Sequence, residues 1–306
     1  MSTVFSPAPV TEQLRERAAC AVREYYCETR WDFRLLWSAR HLHFGLYERP
    51  WTRHAEALRA TNRLLAGLAG IGPGSRVLDA GCGVGGCCVQ LAGEFGAVCT
   101  GITLVRDQVD LAERRAARVA TAGNCEFLVA DFTQTGLAPA GFDAVLATES
   151  LCHAPDKAAF YREAARLLKP GGRLVVAEYV LSAEPLDREA ERLLREWLEG
   201  WALPGLDTAG EHRNHALAAG FEDIRIEDRS REFRRSLRRL YTMSAASFPL
   251  AWVGHFLGLR SRVQHGNVVG SLRAWQSLVR GTWFYATVTA TRAATQVPPG
   301  DTGPAA

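Results

Sequence analysis

The segment from Val77 to Gly86 constrains the fold of this 306-residue chain more than any other part of it. A short apolar run leads to Asp79, and glycines then stand at alternate positions before a helical pattern begins. Because glycine has no Cβ, such a loop turns tightly and lets a ligand lie directly against the main chain. The segment therefore predicts a strand, a ligand-binding turn and a helix in immediate succession.

Two classes of ligand are compatible with this turn. Residues 81–86 match the G-x-G-x-x-G pattern of dinucleotide-binding proteins, in which a helix N-terminus holds a pyrophosphate. The carboxylate of Asp79 would repel that pyrophosphate, and the next strand pattern ends in Gly101-Ile102-Thr103, without an acid for a ribose. An acidic side chain beside the loop favours a cationic ligand, and a dehydrogenase is the less favoured alternative.

Short β-branched runs alternate with helical patterns along most of the chain after this loop begins. The alternation predicts a doubly wound, mostly parallel α/β sheet, with an antiparallel strand added at the end. We expect strands at 76–78, 97–102, 125–130, 142–148, 173–180, 221–228 and 283–291, and core helices at 85–95, 107–121, 157–168, 186–197 and 212–219.

Three motifs in register resemble those of the class I S-adenosylmethionine-dependent methyltransferases. They are Asp79-x-Gly81-x-Gly83-x-Gly85, then Ala130-Asp131-Phe132 after the third strand, and Leu167-Leu168-Lys169-Pro170-Gly171-Gly172 before the fifth. The resemblance covers about residues 70–181 and implies a seven-stranded Rossmann-like fold with S-adenosyl-L-methionine as cofactor. In that family the loop lines the methionine moiety and the ribose, and the acid after the third strand accepts from the adenine amino group.

Two further segments resemble the subgroup of sterol C24-, tocopherol and cyclopropane-fatty-acid methyltransferases. Gly101–Leu104 with Gln108 is similar to the subgroup's second-strand end, although Gln108 also suits a solvated helix position. Thr148–Lys157 is similar to the sterol-enzyme segment with an acid before a Cys-His-Ala-Pro run. The cofactor contacts that follow are Asp79, Gly81, Gly83, Gly85, Thr103, Gln108, Asp131, Phe132 and Thr148.

The resemblance to sterol-type enzymes implies methyl transfer to an alkene carbon of an isoprenoid: a sterol side chain, a prenyl diphosphate or a terpenoid. This reaction leaves a tertiary carbocation, which aromatic faces stabilise by about 2 kcal/mol each when water is excluded. The cation must then lose a proton to a carboxylate or a neutral imidazole. We expect Glu149 and His153 to be catalytic, and the substrate to contact Tyr25, Tyr26, Trp37, Phe44 and Trp252.

These assignments have alternatives that the sequence leaves open. Glu149 is also placed to contact the amino group of the cofactor or to hold a helix N-terminus, and His153 to bond the backbone. The same site suits an O-, N- or aromatic C-methyltransferase that acts on a small hydrophobic metabolite with the histidine as base. A non-catalytic cofactor-binding subunit is a third interpretation, and the intact loop and the acid–histidine pair argue against it.

The domain boundaries follow from changes in composition. Glycine and proline between residues 70 and 74 separate an aromatic, helical segment from the alternating one, and the last twelve residues are rich in proline, glycine and alanine. We expect a helical N-terminal cap (1–70), a cofactor-binding core (71–232), a helical substrate lid (233–281), the last core strand (282–294) and a disordered tail (295–306).

Composition also limits the cellular location and the binding partners that we expect for the protein. With 47% hydrophobic residues and a net charge of +3, the chain is not of the disordered class. It shows neither an integral membrane segment nor an export signal, so we expect a cytoplasmic protein with eight reduced cysteines. Acidic residues interrupt the Arg-rich segment 225–239, which argues against nucleic acid, and His212 and His215 lack a carboxylate partner for a metal. The sequence leaves open whether the protein forms a homo-oligomer.

Of the 36 basic residues, 34 are Arg, which is typical of a GC-rich bacterial genome. This composition favours a role in secondary metabolism, such as terpenoid biosynthesis.

Overall fold

The computed structural model describes residues 11–49, 51–119, 122–182 and 185–294, so the predicted disordered tail lies outside the described residues. The strands within these ranges are β1 (Arg76–Ala80), β2 (Val98–Thr103), β3 (Cys125–Val129), β4 (Phe142–Thr148), β5 (Leu168–Leu181), β6 (Phe221–Asp228) and β7 (Trp283–Arg292). The described residues form one seven-stranded sheet in the order β3-β2-β1-β4-β5-β7-β6, and β7 is antiparallel to both neighbours. The predicted doubly wound α/β fold is confirmed.

The helices are α1 (Glu12–Asp32), α2 (His54–Ala69), α3 (Gly86–Phe95), α4 (Arg106–Ala116), α5 (Lys157–Leu167), α6 (Arg188–Gly200), α7 (Ala209–Ala218), α8 (Ser230–Phe256) and α9 (Arg262–Val279). A π-helical turn, Phe33–Trp37, continues α1, and a 3-10 turn, Leu151–His153, follows β4. Thr208 and Ser261 begin α7 and α9 with capping boxes, which satisfy the first free amides of each helix. The helix predicted at 107–121 was too long, since α4 ends at Ala116.

The parallel strands at the centre of the sheet are covered on both faces. Val77, Leu78 and Ala80 of β1 are all buried, without the alternation of a strand that faces solvent. Their burial explains the continuous apolar run in the sequence. It also leaves Asp79, which is 2% exposed, as a buried carboxyl group at the end of β1, where it requires a specific partner.

The N-terminal cap and the lid form one helical layer. Helix α9 packs against α1, α6 and α8. The guanidinium of Arg260 donates to both carboxylate oxygens of Asp32, at 3.2 and 2.7 Å, and the side chain of Gln264 donates to the carbonyl of Glu28 at 3.1 Å. The two segments that the sequence analysis separated by more than 160 residues therefore contact each other directly, and together with the core they enclose a cavity.

Candidate active site

The glycine loop after β1 is held tightly against the end of β4. Gly81 has a φ of +93°, and a Cβ at this position would lie 2.3 Å from the Cβ of Ser150. The Ser150 hydroxyl in turn donates to the carbonyl of Ala80 at 2.5 Å. Gly81 therefore meets two requirements that only glycine satisfies, a left-handed backbone and a close approach.

The cap covers this loop from outside. A Cβ on Gly86 would lie 2.0 Å from the carbonyl oxygen of Arg40, so residues 40–44 pass directly over the turn. His41 and His43 line the cavity there, with ring centroids 5.3 Å apart. Burial lowers the pKa of both imidazoles, so both are neutral. The sequence analysis named neither histidine as a site residue, although His43 precedes the predicted substrate contact Phe44.

Polar groups line the cavity where the family places its cofactor. Burial raises the pKa of Asp79 to about 6, and the Cys88 thiol donates to its carboxyl group at 3.5 Å. The Thr103 hydroxyl donates to the side-chain carbonyl of Gln108 at 2.7 Å, which joins the end of β2 to α4. Asp79, Thr103 and Gln108 all line the cavity, as do Gly81 and Gly83.

Asp131 is placed to offer one free carboxylate oxygen. Its Oδ1 accepts from the amide and the hydroxyl of Thr133, both at 2.7 Å, while Oδ2 accepts no hydrogen bond from the described residues. Phe132 beside it packs edge to face on Phe160, with ring centroids 5.5 Å apart. Both Asp131 and Phe132 line the cavity.

Thr148, the last residue of β4, carries a buried hydroxyl that has no hydrogen-bond partner among the described residues. The same residue lines the cavity. Because a buried polar group without a partner is costly, this hydroxyl indicates a ligand that completes its hydrogen bonding. S-adenosyl-L-methionine, with its ammonium and carboxylate groups, offers both a donor and an acceptor, so these residues suit the cofactor.

Much of the rest of the cavity wall consists of aromatic and aliphatic side chains. The cavity has a volume of about 380 Å³. Besides Phe132, the phenylalanine, tyrosine and tryptophan side chains that line it are Tyr25, Tyr26, Phe33, Trp37, Phe44, Tyr179 and Trp201. Four of the five side chains predicted to contact substrate, all except Trp252, are in this set. An apolar, π-rich wall of this kind excludes water and stabilises positive charge.

Glu149 lies in this wall and is held by three donors. Its carboxyl group accepts from the amide of Phe44 at 2.7 Å, from the hydroxyl of Tyr179 at 2.5 Å and from the hydroxyl of Tyr285 at 2.8 Å. Tyr179 and Tyr285 lie directly opposite each other on β5 and β7. The backbone of Glu149 has a φ of +50°, which is unusual for a residue other than glycine and is typical of functional sites.

Burial is the dominant influence on the acidity of Glu149. It raises the pKa of this carboxyl group to about 8, and the nearby carboxyl of Glu178 adds to the rise, although the three donors oppose it. A carboxyl group with a pKa in this range is a stronger base than an ordinary glutamate and exchanges protons near neutral pH.

His153 is fixed by a hydrogen bond at each ring nitrogen. Nδ1 lies 3.3 Å from the carbonyl oxygen of Ala202, and Nε2 lies 3.1 Å from the hydroxyl of Tyr26. Since a carbonyl only accepts, Nδ1 carries the hydrogen and Nε2 accepts from Tyr26. Burial lowers the pKa of His153 to about 4, so the imidazole is neutral.

Glu178 is a second buried carboxyl group beside this site, and the sequence analysis missed it. It is fully buried in β5 and accepts from the amides of Cys152 and Tyr179, at 2.7 and 2.8 Å. Burial raises its pKa to about 7. Through these two hydrogen bonds, Glu178 links the turn that carries His153 to Tyr179, whose hydroxyl donates to Glu149.

Two assignments from the sequence are not supported by the geometry. Trp252 is 52% exposed and does not line the cavity, because it lies on the outer face of α8 and stacks on Phe256. Gly85 begins α3 away from the cavity, and a Cβ there would lie 2.6 Å from that of Ala112. Gly85 is therefore required for packing between helices, and neither residue lines the cavity.

The two histidines of α7 have structural partners. His212 lies 2.9 Å from the hydroxyl of Tyr161, and His215 lies 3.0 Å from a carboxylate oxygen of Asp207. Within the described ranges, no group of three or more His, Cys, Asp or Glu is arranged to hold a metal ion. In the same part of the chain, no helix is both long and apolar enough to cross a bilayer.

Comparisons with known proteins identify the family of the chain. A family described as a methyltransferase domain matches residues 71–222. The 27-O-demethylrifamycin SV methyltransferase of Amycolatopsis mediterranei is 34% identical over 203 residues, which are 66% of this chain and 73% of that protein. Cycloartenol-C-24-methyltransferase 1 of Oryza sativa is 34% identical over 175 residues, which are 56% of this chain and 51% of that protein.

Among solved structures, the geranyl diphosphate C-methyltransferase of Streptomyces coelicolor superimposes with a TM-score of 0.69. The match covers 94% of this chain and 100% of that one, at 20% sequence identity, so it bears on the fold alone. Together, the family match, the relatives and the fold establish the cofactor and the type of enzyme. The chain belongs to the S-adenosylmethionine-dependent methyltransferases.

Proposed function

We propose that the enzyme transfers the methyl group to an alkene carbon of an isoprenoid or prenylated natural product. The observation that carries this proposal is the environment of Glu149. Its carboxyl group has a raised pKa and is held by two tyrosine hydroxyls beside the aromatic side chains of the cavity. This combination suits a reaction that creates a positive charge on carbon and then removes a proton.

The residues that would hold the cofactor lie along the carboxyl ends of β1, β2, β3 and β4. Asp79, the glycine loop and Thr148 would take the methionine part, Thr103 and Gln108 the ribose, and Asp131 with Phe132 the adenine. When bound, S-adenosyl-L-methionine supplies an electrophilic methyl group on a sulfonium. The chain contributes orientation and an environment without water.

The chemistry then depends on the residues of the wall. The π electrons of the alkene form the new bond to the methyl carbon as the sulfur–carbon bond breaks, and a cation remains on the neighbouring carbon. Faces such as those of Tyr26, Trp37 and Phe44 stabilise this cation. An adjacent C–H bond supplies the electrons of the new alkene, and its proton passes to the carboxylate of Glu149. Because its pKa is about 8, the ionised form of Glu149 that accepts this proton becomes more populated as pH rises from 7 towards 8.

His153 is assigned a different role from the one expected from sequence. With a pKa near 4 it is a weak base, and its Nε2 is already occupied by the Tyr26 hydroxyl. We assign it the positioning of Tyr26, whose ring forms part of the wall. The neutral imidazole also avoids a second positive charge beside the substrate cation.

A second candidate function is O-methylation of a small hydrophobic metabolite. The name of the Amycolatopsis relative gives an O-demethylated compound as its substrate, which indicates methylation on oxygen. That protein is matched over 73% of its length. The same carboxyl group, Glu149, would then remove the proton of a hydroxyl group during transfer. This alternative requires an acidic acceptor group in the substrate and no stabilisation of a carbocation.

Nuclear magnetic resonance of the product distinguishes the two functions. The enzyme is incubated with cofactor labelled with ¹³C in the methyl group and a panel of prenyl diphosphates, sterols and prenylated alcohols. Each unsaturated compound is paired with its hydrogenated analogue, which keeps every hydroxyl group but has no alkene. We expect labelled methyl on carbon and no reaction of the saturated partner. A labelled methyl on oxygen in both members of a pair would contradict the proposal and establish O-methylation.

A further inference from the structure

The second half of α8 and the turn to α9 expose a concentrated apolar surface. Leu250, Phe256 and Leu259 are 77–78% exposed, and Trp252 stacks on Phe256 with ring centroids 5.8 Å apart. Val253 and Leu257 lie between them and are also exposed. Contiguous exposed apolar side chains of this size indicate an interaction site.

This surface lies at the rim of the substrate cavity. Leu250 on α8 and Leu36 on the π-helical turn both line the cavity, and both are exposed to solvent. Leu35 and Trp31 are exposed beside Leu36. The rim surface, as we name it, consists of Trp31, Leu35, Leu36, Leu250, Trp252, Val253, Phe256, Leu257 and Leu259. The cavity therefore opens between apolar side chains that lie on both sides of it.

The net charge of the residues around the rim surface is positive. Residues 233–279 contain seven Arg and neither Asp nor Glu, and within them residues 240–259 carry no Arg, Lys, Asp or Glu at all. Arg260 and Arg262 follow this uncharged stretch directly, and the guanidinium of Arg34 lies 5.2 Å over the ring of Trp31. Asp32 pairs with Arg260, and Glu28 is the other acid near Trp31 in the chain. The rim surface is thus apolar at its centre and cationic at its edge.

We propose that the rim surface docks on an anionic lipid bilayer, with the mouth of the cavity towards the lipid. Exposed Trp, Phe and Leu beside Arg are the composition of segments that lie in the bilayer interface. A two-fold contact with a second copy would place each cationic edge against an identical one, which is unfavourable. No helix in the described ranges crosses a bilayer, so docking is peripheral. An enzyme docked in this way takes an apolar substrate directly from the membrane.

Vesicle flotation with the full chain tests this proposal. The vesicles contain phosphatidylcholine alone or phosphatidylcholine with phosphatidylglycerol. The test variant is the double substitution Phe256→Asp/Leu259→Asp, and neither residue lines the cavity. The matched control is Leu217→Asp, a residue 56% exposed on α7. Circular dichroism and cofactor calorimetry establish that each variant is folded.

We expect the enzyme and the Leu217→Asp control to float with the anionic vesicles, and salt to weaken this binding. We expect the double variant to lose binding by at least about ten-fold, since two charges replace two inserted apolar groups. Failure of the folded enzyme to bind anionic vesicles would overturn the proposal, as would equal loss in the control. A dimer that the double variant dissociates, without vesicle binding, would assign the surface to a second copy. The assay contains no methyl acceptor, so its failure is distinct from failure of the proposed function.

Discussion

The hydroxyl of Tyr26 lies 3.1 Å from Nε2 of His153, and this hydrogen bond joins the N-terminal cap to the turn after β4. The carbonyl of Ala202 accepts from Nδ1 and so fixes the tautomer of His153. Nε2 therefore has no hydrogen, and the hydroxyl of Tyr26 donates to it. A residue of the first helix therefore depends on a residue near the middle of the chain for its place in the cavity wall.

We expect the His153 ring to remain neutral, with hydrogen on Nδ1, from about pH 5 to pH 8, because burial holds its pKa near 4. Nitrogen-15 chemical shifts of the ring measure this directly. Tyr26→Phe should perturb the Nε2 shift and lower kcat/KM by about five- to ten-fold, the value of one buried hydrogen bond. Tyr25→Phe is the matched control, because Tyr25 bonds Asn267 instead, and should leave the Nε2 shift unchanged. Protonation of the ring within that range would contradict the assignment.

Gly81→Ala should weaken cofactor binding by about thirty-fold or more, equivalent to at least about 2 kcal/mol. The added Cβ meets Ser150 at 2.3 Å and the backbone keeps a φ of +93°, so the loop must move from its position in the cavity. Gly67→Ala is the matched control, since Gly67 lies within α2 and its Cβ would have no atom within 4 Å. Calorimetry with S-adenosyl-L-methionine gives both values. Equal affinity in the two variants would show that the loop is not at the cofactor.

The sequence was sufficient to predict the core and the cofactor side of the site. The acid and the glycines that predict the loop from Asp79 to Gly86 all lie within ten consecutive residues, 77–86. The apolar run of β1 reflects burial on both faces of the sheet. Local patterns of this kind can be recognised in the sequence without a structure. The start of β5 and the end of α4 were predicted less accurately, because the pairing of Leu168 with Phe142 on β4 extends the strand and a local turn ends the helix.

The substrate side was less predictable because its contacts are distant in sequence. Glu149 is held by Phe44 and Tyr285, residues 105 and 136 positions away, and no local pattern reveals such a pairing. Glu178 gave no signal, since one acid within a strand has no motif. Trp252 was assigned to the substrate because it lies in an apolar segment of the expected lid, but which face of a long helix is exposed depends on its neighbours.

Glu178 should make the stability of the protein depend on pH. Its pKa is about 7 in the fold against an ordinary 4.5, so the folded state binds more protons between these values. The free energy of unfolding therefore falls as pH rises through this window, with a slope of up to about 1.4 kcal/mol per pH unit from this group. Chemical denaturation at several pH values should show a flatter profile for Glu178→Gln. Glu222→Gln, at an exposed site on β6, should keep the original profile. An unchanged slope in Glu178→Gln would contradict the raised pKa.

The most direct test of the proposed chemistry is the effect of Glu149→Gln on kcat and on cofactor affinity together. Glutamine keeps the shape of the side chain and removes the base. We predict that kcat falls about 10²- to 10⁴-fold, the usual range for an acid–base group, and that the Kd of S-adenosyl-L-methionine changes less than about three-fold. A near-normal kcat would contradict the account. A large loss of cofactor affinity would also contradict it, by assigning Glu149 to the amino group of the cofactor.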